Sequence, residues 1–165
     1  MSAIDIAAFK QAMAHLAGAV SVITVGRGAE RTGFTATSVS SFSLEPPTML
    51  VSLNRRSSSW PAVLEAKAFA INVLAENQTN VAHRFAGRDG IKGNDRYLDA
   101  EWSELASGTL GLVGAAVVVD CDLEEAIERH SHAILLGTVR SVTLAAGAQP
   151  LLYWQTQFHR LQSGI

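Results

Sequence analysis

Apolar residues near the start of the chain recur with the spacing of an α-helix. Four of them lie three or four positions apart: Ile6, Phe9, Met13 and Leu16. On a helix they would form one apolar stripe. Asp5 precedes the stripe and belongs to the residue types that cap helix N-termini. The pattern predicts an amphipathic helix over residues 5–16.

Short runs rich in β-branched residues follow, separated by turn residues. The run from Val20 to Val25 ends in Gly26-Arg27-Gly28, and Gly33 opens a return strand, which together predict a hairpin. Further strands are predicted by alternation at residues 48–53, 69–74, 115–129 and 132–144. Residues 123–128 also have helical propensity, so the pattern does not fix where the strand predicted at 115–129 ends.

Helices play a smaller part in the rest of the chain. Short helices are predicted at residues 60–67 and 78–86, a charged glycine-rich loop at 88–95, and an aromatic segment from Pro150 onward. Strands outnumber helices and their turns are closely spaced. We therefore expect a mainly β fold with short helices, an antiparallel sheet closed into a barrel, and a single domain over residues 1–165.

Composition changes this picture by suggesting a partner subunit. Apolar residues counted with glycine and without tyrosine make up about 55% of the chain, against about 45–50% in typical domains. Charged residues account for only 17%. A domain of this size has too little interior for the surplus, so part of it is expected in a subunit interface or around a flat apolar ligand. A symmetric homodimer is the simplest expectation.

Charge and cysteine content exclude several classes of function. The net charge of −2 argues against nucleic-acid binding through phosphate neutralisation. The single Cys121 excludes an intramolecular disulfide and a multi-cysteine metal site, which favours a cytoplasmic location. Residues 1–13 lack the pattern of a signal peptide, and the uncharged stretch 105–119 is too short to span a membrane. We expect no membrane association.

Hydroxyl side chains are concentrated in two places along the chain. One is Thr35-Ala36-Thr37-Ser38-Val39-Ser40-Ser41-Phe42-Ser43, and the other is Ser57-Ser58-Ser59, just before a predicted helix. Six hydroxyls in nine residues exceed what a core strand would carry, so the first segment is expected to be a loop. Hydroxyls, backbone amides and a helix N-terminus can together hold a phosphate. A side-chain turn followed by a helix cap explains the same residues without a ligand.

Known catalytic and nucleotide-binding motifs are missing from the chain. Gly26-Arg27-Gly28 lacks the remainder of the dinucleotide-binding fingerprint, and no P-loop or nucleophile elbow occurs. His130 and His132 have a spacing that a metal could use, but no third ligand is apparent, so we expect no metal. The cations Arg84, Arg88, Lys92 and Arg96 are interpreted either as a solvated, partly self-paired loop or as a contact for a dinucleotide pyrophosphate.

Several segments resemble the flavin reductase family, whose members have an FMN-binding split barrel. The most specific is Gly33-Phe34-Thr35-Ala36-Thr37-Ser38-Val39-Ser40-Ser41-Phe42-Ser43-Leu44-Glu45-Pro46-Pro47-Thr48-Met49-Leu50-Val51-Ser52-Leu53-Asn54. Others are Phe69-Ala70-Ile71-Asn72-Val73-Leu74, Val81-Ala82-His83-Arg84-Phe85-Ala86, the strand from Gly114 to Cys121, and His132-x-Ile134-x-x-Gly137-x-Val139. The resemblance covers nearly the whole chain.

The resemblance implies a homodimeric, Greek-key split β-barrel that acts as an oxidoreductase. Such a protein binds FMN or FAD near the dimer interface and takes a hydride from NADH or NADPH. The reduced flavin then passes to a partner monooxygenase. Two alternatives stay open, which are reduction of another acceptor such as a corrinoid cobalt centre and a split-barrel module that binds flavin without turnover.

The resemblance also implies roles for individual residues. The ribityl and phosphate part of the flavin would contact Thr37, Ser38, Ser40, Ser41, Ser58 and Ser59. The isoalloxazine edge would run along Ser52, Leu53 and Asn54. Phe85 and Ala86 would close over the cofactor, His132 would lie near the nicotinamide, and Tyr153 would form a further wall. Thr156 and Phe158 stand where the family often has Gly and Tyr. The resemblance therefore does not settle which residues line the nicotinamide side.

Hydride transfer between the two cofactors asks little acid–base chemistry of the protein. The nicotinamide and the flavin supply the reactivity, and the protein stacks and orients them. No catalytic residue is therefore predicted. Backbone amides from Ser52 to Asn54 are expected to donate to the flavin and stabilise its reduced, anionic form.

Overall fold

The computed structural model describes residues 4–162, and the ends at 1–3 and 163–165 and the Arg88 side chain lie outside it. Within the described part, the α-helices are α1 (Ile6–Ala14), α2 (Ser59–Ala66) and α3 (Thr79–Phe85). The strands are β1 (Gly18–Ala19), β2 (Ser21–Val25), β3 (Thr32–Ala36), β4 (Val39–Leu44), β5 (Pro47–Asn54), β6 (Ala68–Val73), β7 (Trp102–Glu104), β8 (Leu110–Leu112), β9 (Val117–Arg129), β10 (His132–Leu144), β11 (Leu152–Trp154) and β12 (Gln157–His159).

The main sheet has seven antiparallel strands that curl into a barrel. Its strand order is β3-β2-β6-β9-β10-β5-β4, so β3 and β4 occupy opposite edges. Only Thr37 and Ser38 separate these two strands in the chain, and three backbone steps reach no more than about 11 Å. A flat sheet of this size would be about 29 Å wide at about 4.8 Å per strand. The two edges must therefore curve toward each other, which confirms the predicted barrel.

The core is divided between the barrel interior and a layer outside it. Ile23, Phe69 and Leu135 are fully buried in the inner cluster. A second cluster lies outside the barrel and includes Val22 and Phe85. Because β2 has core on both of its faces, all five of its residues are buried.

Two buried polar side chains fasten the outer layer to the barrel. Asn72 Oδ1 accepts a hydrogen bond from the Leu112 N–H at 2.7 Å. The Thr24 hydroxyl donates to the Leu110 carbonyl oxygen at 2.6 Å. Both bonds reach β8, whose backbone groups would otherwise be buried beside the barrel without partners. The β7–β8 hairpin is thereby tied to strands of the main sheet.

The structure differs from the sequence predictions at the hydroxyl-rich segment and at the charged loop, and it contains the short strands β1, β7 and β8, which were not predicted. It confirms the strand predicted over residues 115–129. The hydroxyl-rich segment, predicted to be a loop, largely forms β4, an edge strand with little buried surface and no need for alternating apolar residues. β9 continues as a strand to Arg129 because β10 pairs with it, despite its helical propensity. The charged loop contains a 3-10 turn, Gly93–Tyr97, with Arg96 and Tyr97 buried.

Most other predicted elements are present close to their expected bounds. The β2–β3 hairpin is antiparallel as predicted, with Ile23 opposite Phe34. The amphipathic helix α1 begins after Asp5, whose side chain accepts a hydrogen bond from the Ala7 N–H at 2.9 Å. No residue of α1 is buried. Among residues 4–162, no helix is both long enough and apolar enough to cross a membrane.

Candidate functional site

A pocket of about 450 Å³ opens where the two edges of the barrel approach each other. Its volume is in the range of small-molecule sites. It is lined by Phe34, Thr35, Ala36, Thr37, Ser38, Ser52, Leu53, Asn54, Ser57, Phe85, Ala86, Arg96 and His132. We call it the edge pocket. The link between β3 and β4 forms one wall, and the end of β5 forms another.

Most of the residues predicted to bind flavin meet in the edge pocket. They are Thr37, Ser38, Ser52, Leu53, Asn54, Phe85, Ala86 and His132. Their convergence follows from the barrel closure, which brings the end of β3 beside the end of β5. Ser38 joins the two directly, since its carbonyl oxygen accepts from the Ser52 N–H and its hydroxyl donates to the Ser52 carbonyl oxygen, both at 3.2 Å.

Five predicted residues are not brought to this pocket. Ser40 and Ser41 are exposed on β4, where the Ser40 hydroxyl donates to the Ser41 carbonyl oxygen. Ser58 lines a second, separate cavity. Ser59 is fully buried and donates its hydroxyl to the Gly33 carbonyl oxygen at 2.9 Å. Tyr153 lines a smaller third cavity.

That third cavity adjoins the edge pocket. Its volume is about 220 Å³, and it shares Thr35, Ala36, Thr37 and Ala86 with the edge pocket. The remaining lining residues are Val20, Ala82, His83, Tyr153 and Phe158. A ligand in the edge pocket would therefore have an aromatic recess beside it.

Ser57 lines the edge pocket in place of the two serines predicted there. Its hydroxyl accepts a hydrogen bond from the Ser59 N–H at 3.2 Å. The triple serine located the right turn, but which serine faces the pocket depends on the start of α2 at Ser59. Other lining residues that were not predicted, such as Phe34 and Thr35, belong to β3.

Helix α3 is held against the pocket by two contacts with β3. The Thr35 hydroxyl donates to the Ala82 carbonyl oxygen at 2.7 Å. Gly33 allows the Phe85 ring to pack directly on the strand, since a Cβ at position 33 would lie 2.7 Å from that ring. These contacts place Phe85 and Ala86 at the pocket wall.

The strand edge at Asn54 presents a backbone amide to the pocket. The Ser52 N–H points toward β4, because it donates to the Ser38 carbonyl oxygen. Asn54 lies two residues along, so its N–H points the same way. The last residue of β5 opposite β4 is Val51, so β4 does not cover Asn54. Of the three backbone amides predicted to donate to the flavin, only the Asn54 N–H therefore points to a side of β5 that no strand covers at that position.

The Leu53 amide points away from the edge pocket. The Arg55 N–H donates to the Ser131 carbonyl oxygen at 3.0 Å. By the two-residue period of a strand, the Leu53 backbone faces β10 in the same way, opposite Ala133. Leu53 therefore contributes to the pocket as a lining residue and not as a hydrogen-bond donor.

Arg96 is a buried cation at the pocket. It is 7% exposed and donates from Nη1 to the Phe85 carbonyl oxygen, while Nε is buried without a hydrogen-bond partner. Burial lowers the pKa of Arg96 below its ordinary value, an effect that the neighbouring Tyr97 partly opposes. Among the described side chains, no carboxylate lies within 4.0 Å of it. The pocket therefore has an uncompensated positive charge in its wall.

Arg84, the cation of α3 beside this loop, is paired with a neighbouring carboxylate. Arg84 forms an ion pair with Asp99 at 2.8 Å and donates to the Asp95 carbonyl oxygen. Tyr97 positions Arg96, because its hydroxyl donates to the Thr32 carbonyl oxygen at 2.6 Å. The self-paired interpretation therefore applies to Arg84, and the interpretation as a pyrophosphate contact stays a prediction for Arg96.

His132 lies at the open side of the pocket. It is exposed, and its Nδ1 lies 2.8 Å from the Ser131 hydroxyl. If the hydroxyl donates, the ring proton resides on Nε2, which can then donate to a ligand. Among residues 4–162, no group of three or more His, Cys, Asp or Glu side chains is arranged to hold a metal ion.

Comparisons with known proteins identify the family of this chain. The family model "Flavin reductase like domain" matches residues 13–162. The FMN reductase (NADH) RutF 2 of Methylorubrum extorquens is 39% identical over 151 residues, covering 92% of this chain and 87% of the relative.

Two solved structures share the fold over nearly their full lengths. SgcE6 of Streptomyces globisporus, an NADH:FAD oxidoreductase solved with NAD and FAD fragments, has a TM-score of 0.88 at 26% identity, with 99% and 98% of the two chains covered. BorF, the flavin reductase component of a bacterial two-component tryptophan halogenase, has a TM-score of 0.88 at 28% identity, with 97% and 100% covered. The chain therefore belongs to the flavin reductase family.

Proposed function

We propose that this protein is an NADH-dependent FMN reductase that supplies reduced flavin to a separate monooxygenase. The activity printed for its M. extorquens relative supports the choice of NADH and FMN. BorF supports transfer to a partner enzyme, since it is one component of a two-component system. In the overall reaction, NADH and a proton reduce FMN to its dihydro form and leave NAD⁺.

The observation that carries the proposal is the buried Arg96 guanidinium at the edge pocket. A buried charge without a counter-ion is costly, and the described side chains supply no carboxylate partner. A phosphate monoester would provide that counter-charge, with charge-assisted hydrogen bonds to the arginine. Ser38 and Ser57 border the same pocket. The Ser57 hydroxyl can donate to a phosphate oxygen, and the Ser38 hydroxyl, which already donates to Ser52, can accept from a ribityl hydroxyl.

The flavin ring is assigned to the part of the pocket formed by the end of β5. The Asn54 N–H faces this region and would donate to the polar edge of the ring, where reduction builds up negative charge. Phe85 and Ala86 provide an apolar wall that excludes water from one side. The bound flavin supplies hydride acceptance, and the protein holds it in a fixed orientation.

His132 and Tyr153 are assigned to the nicotinamide side. His132 stands at the exposed rim of the edge pocket, and Tyr153 lines the recess that adjoins it. A donor histidine near the flavin would orient a nicotinamide carboxamide without taking part in the hydride transfer. We assign Ser40, Ser41, Ser58 and Ser59 no contact with FMN.

We further propose that the enzyme is a cytoplasmic homodimer. The apolar stripe of α1 is exposed in the single chain, with Phe9 47% and Leu16 68% exposed. On the edge strand β4, Phe42 is 60% and Leu44 83% exposed. Burying such surfaces in a symmetric interface would remove them from water and cover an open sheet edge. A free, buried Cys121 fits a reducing compartment.

A spectroscopic assay tests the enzymatic proposal. Purified protein is mixed with FMN and NADH without oxygen, and the loss of oxidised flavin and of NADH absorbance are followed together. We expect equimolar loss of both signals at a rate proportional to protein concentration. Saturable FMN binding without NADH consumption would refute the proposal and leave the non-catalytic binding module.

A further inference from the structure

Three residues lie side by side at the rim of the edge pocket, one on each of three neighbouring strands. His132 is paired with Asn54 of β5 on one side and with Arg129 of β9 on the other. Directly opposed residues of antiparallel strands project to the same face of the sheet, with their Cβ atoms about 5 Å apart. Arg129 therefore lies on the same face as His132, although it does not line the pocket. We call these three residues the rim row.

The turn that joins Arg129 to His132 is tight and is held by the chain that follows β5. Only His130 and Ser131 separate the two residues, and His130 has a left-handed φ of 50°. The Arg55 N–H donates to the Ser131 carbonyl oxygen at 3.0 Å, and Arg55 Nη1 donates to the His130 carbonyl oxygen at 3.2 Å. The fold therefore fixes the order and the spacing of the rim row.

Arg129 carries a positive charge that no described carboxylate offsets. Its side chain is exposed, and Nη1 donates to the Glu128 carbonyl oxygen at 2.7 Å, which is a neutral acceptor. Among the described side chains, none has a carboxylate oxygen within 4.0 Å of the Arg129 guanidinium. The Glu128 side chain projects to the opposite face of β9, where its carboxylate forms an ion pair with Arg55. The guanidinium is therefore available to an anion.

The rim row matches the order of chemical groups in a reduced nicotinamide dinucleotide that approaches a bound flavin. In the proposed function, the flavin edge lies at Asn54 and the nicotinamide at His132. In such a dinucleotide the nicotinamide is followed by one ribose and then by a negatively charged pyrophosphate. The next strand beyond His132 is about 4.8 Å away. It presents a guanidinium, whose planar set of donors suits phosphate oxygens.

We propose that Arg129 binds the pyrophosphate of NADH and thereby positions the nicotinamide beside His132. The inference rests on the proposed function, because it takes the nicotinamide to lie at His132 and the flavin edge at Asn54. Arg129 takes no part in the hydride transfer itself. Its contact is the same before and during the reaction, so it lowers the KM for NADH and leaves kcat unchanged. A hydride donor without phosphate gains nothing from this contact.

Hydride donors with and without phosphate test this assignment. Steady-state kinetics with FMN as acceptor are measured for NADH and for reduced nicotinamide riboside, which has the same reactive ring and no phosphate. Arg129→Met removes the charge, and Arg129→Lys keeps it. The matched control is Arg140→Met, which replaces an exposed arginine of β10 that is already paired with Asp122.

The expected effect is confined to NADH. We expect Arg129→Met to raise the KM for NADH about three- to fivefold, the upper part of the range for exposed charge pairs. Arg129→Lys should restore most of the wild-type value, and Arg140→Met should leave it unchanged. The KM for the riboside and the FMN dissociation constant should be the same in all variants. Raising the ionic strength should raise the KM for NADH more in the wild type than in Arg129→Met, because salt screens an exposed charge contact.

Two kinetic results would overturn the proposal. One is an unchanged KM for NADH in Arg129→Met. The other is an equal increase for NADH and for the riboside, which would show that Arg129 only shapes the turn.

A binding titration separates this inference from the proposed function. The NADH dissociation constant is measured by NADH fluorescence without flavin, so no turnover is needed. Weaker NADH binding in Arg129→Met than in the wild type supports the assignment even if the wild type reduces no FMN, and in that case the reductase proposal alone fails. Equal NADH dissociation constants in the two proteins would overturn the assignment of Arg129 and leave the reductase proposal intact.

Discussion

Replacing Arg96 with methionine tests whether the buried guanidinium holds the FMN phosphate. Methionine keeps a long apolar stem and removes the charge and all donors. A hydrogen bond to a charged group contributes about 1.5–3 kcal/mol, which corresponds to a change of about 10- to 150-fold in the dissociation constant. We expect FMN binding to weaken by that factor.

The same replacement has opposing effects on the free energy of unfolding. It removes the bond from Arg96 to the Phe85 carbonyl oxygen, and an unpaired buried acceptor costs about 1–3 kcal/mol. It also removes a buried charge whose Nε has no hydrogen-bond partner. Removing that charge favours the folded state, because the charge no longer has to be taken out of water on folding. We therefore expect a net loss of at most about 2 kcal/mol, far less than a collapse of the site would give.

The assay compares FMN with riboflavin, which carries the same ring and no phosphate. Fluorescence titrations of both ligands are recorded for wild type, Arg96→Met and Arg84→Met, together with urea unfolding. Arg84 is the matched control because it belongs to the same loop cluster but is already paired with Asp99. The expected pattern is a loss of affinity for FMN alone, in Arg96→Met alone.

Two results would refute this reasoning. If riboflavin and FMN lose affinity equally in Arg96→Met, the arginine shapes the pocket and does not contact phosphate. If FMN affinity is unchanged while unfolding becomes easier by more than about 3 kcal/mol, Arg96 serves only to hold the end of α3 through Phe85.

Three further predictions concern other parts of the molecule. His132→Ala should raise the KM for NADH more than the dissociation constant of FMN in steady-state assays, and the reverse order would move His132 to the flavin. Burial, with smaller contributions from Asp120 and Asp122, raises the pKa of Cys121 from 9.0 to about 12, so folding should lose stability between pH 9 and 12 as the unfolded thiol ionises. Urea unfolding of Cys121→Ala should show a shallower decline, and an equal decline would contradict this. Phe9→Glu, but not Gln11→Glu on the opposite side of α1, should yield monomers in sedimentation, and a persistent dimer would exclude α1 from the interface.

Local periodicity was sufficient to predict β2, β3, β5, β6, β9 and β10, but not β4 or the short strands β1, β7, β8, β11 and β12. Ile71 and Val73 alternate because one face of β6 meets the barrel core. β4 sits at an edge with exposed Ser40 and Ser41, so no apolar alternation is required of it and its hydroxyls suggested a loop. Its identity as a strand depends on β5, which follows it in a hairpin. The second half of β9 has a local helical preference, but it was predicted as a strand and pairing with β10 holds it as one.

The sequence predicted which segments form the candidate site, but it did not predict which of their side chains face the pocket. The triple serine marks the turn. However, the Ser59 hydroxyl donates to the Gly33 carbonyl oxygen, and it is Ser57 that lines the pocket. The sequence alone does not distinguish the roles of Arg84 and Arg96. One meets Asp99 and the other is buried against Phe85, and that difference arises only when the loop packs on α3.

Barrel closure and ligand binding depend on one structural feature, the two-residue link between β3 and β4. Because Thr37 and Ser38 carry the chain from one sheet edge to the other, β4 begins only at Val39, opposite Val51. The end of β5 is thereby left without a neighbour on that side, and the Asn54 amide faces the pocket instead of another strand. A longer link would let β4 extend along β5 and cover this edge. The short link therefore explains why the end of β3 and the end of β5 form one site, although these two strands are not neighbours in the sheet order.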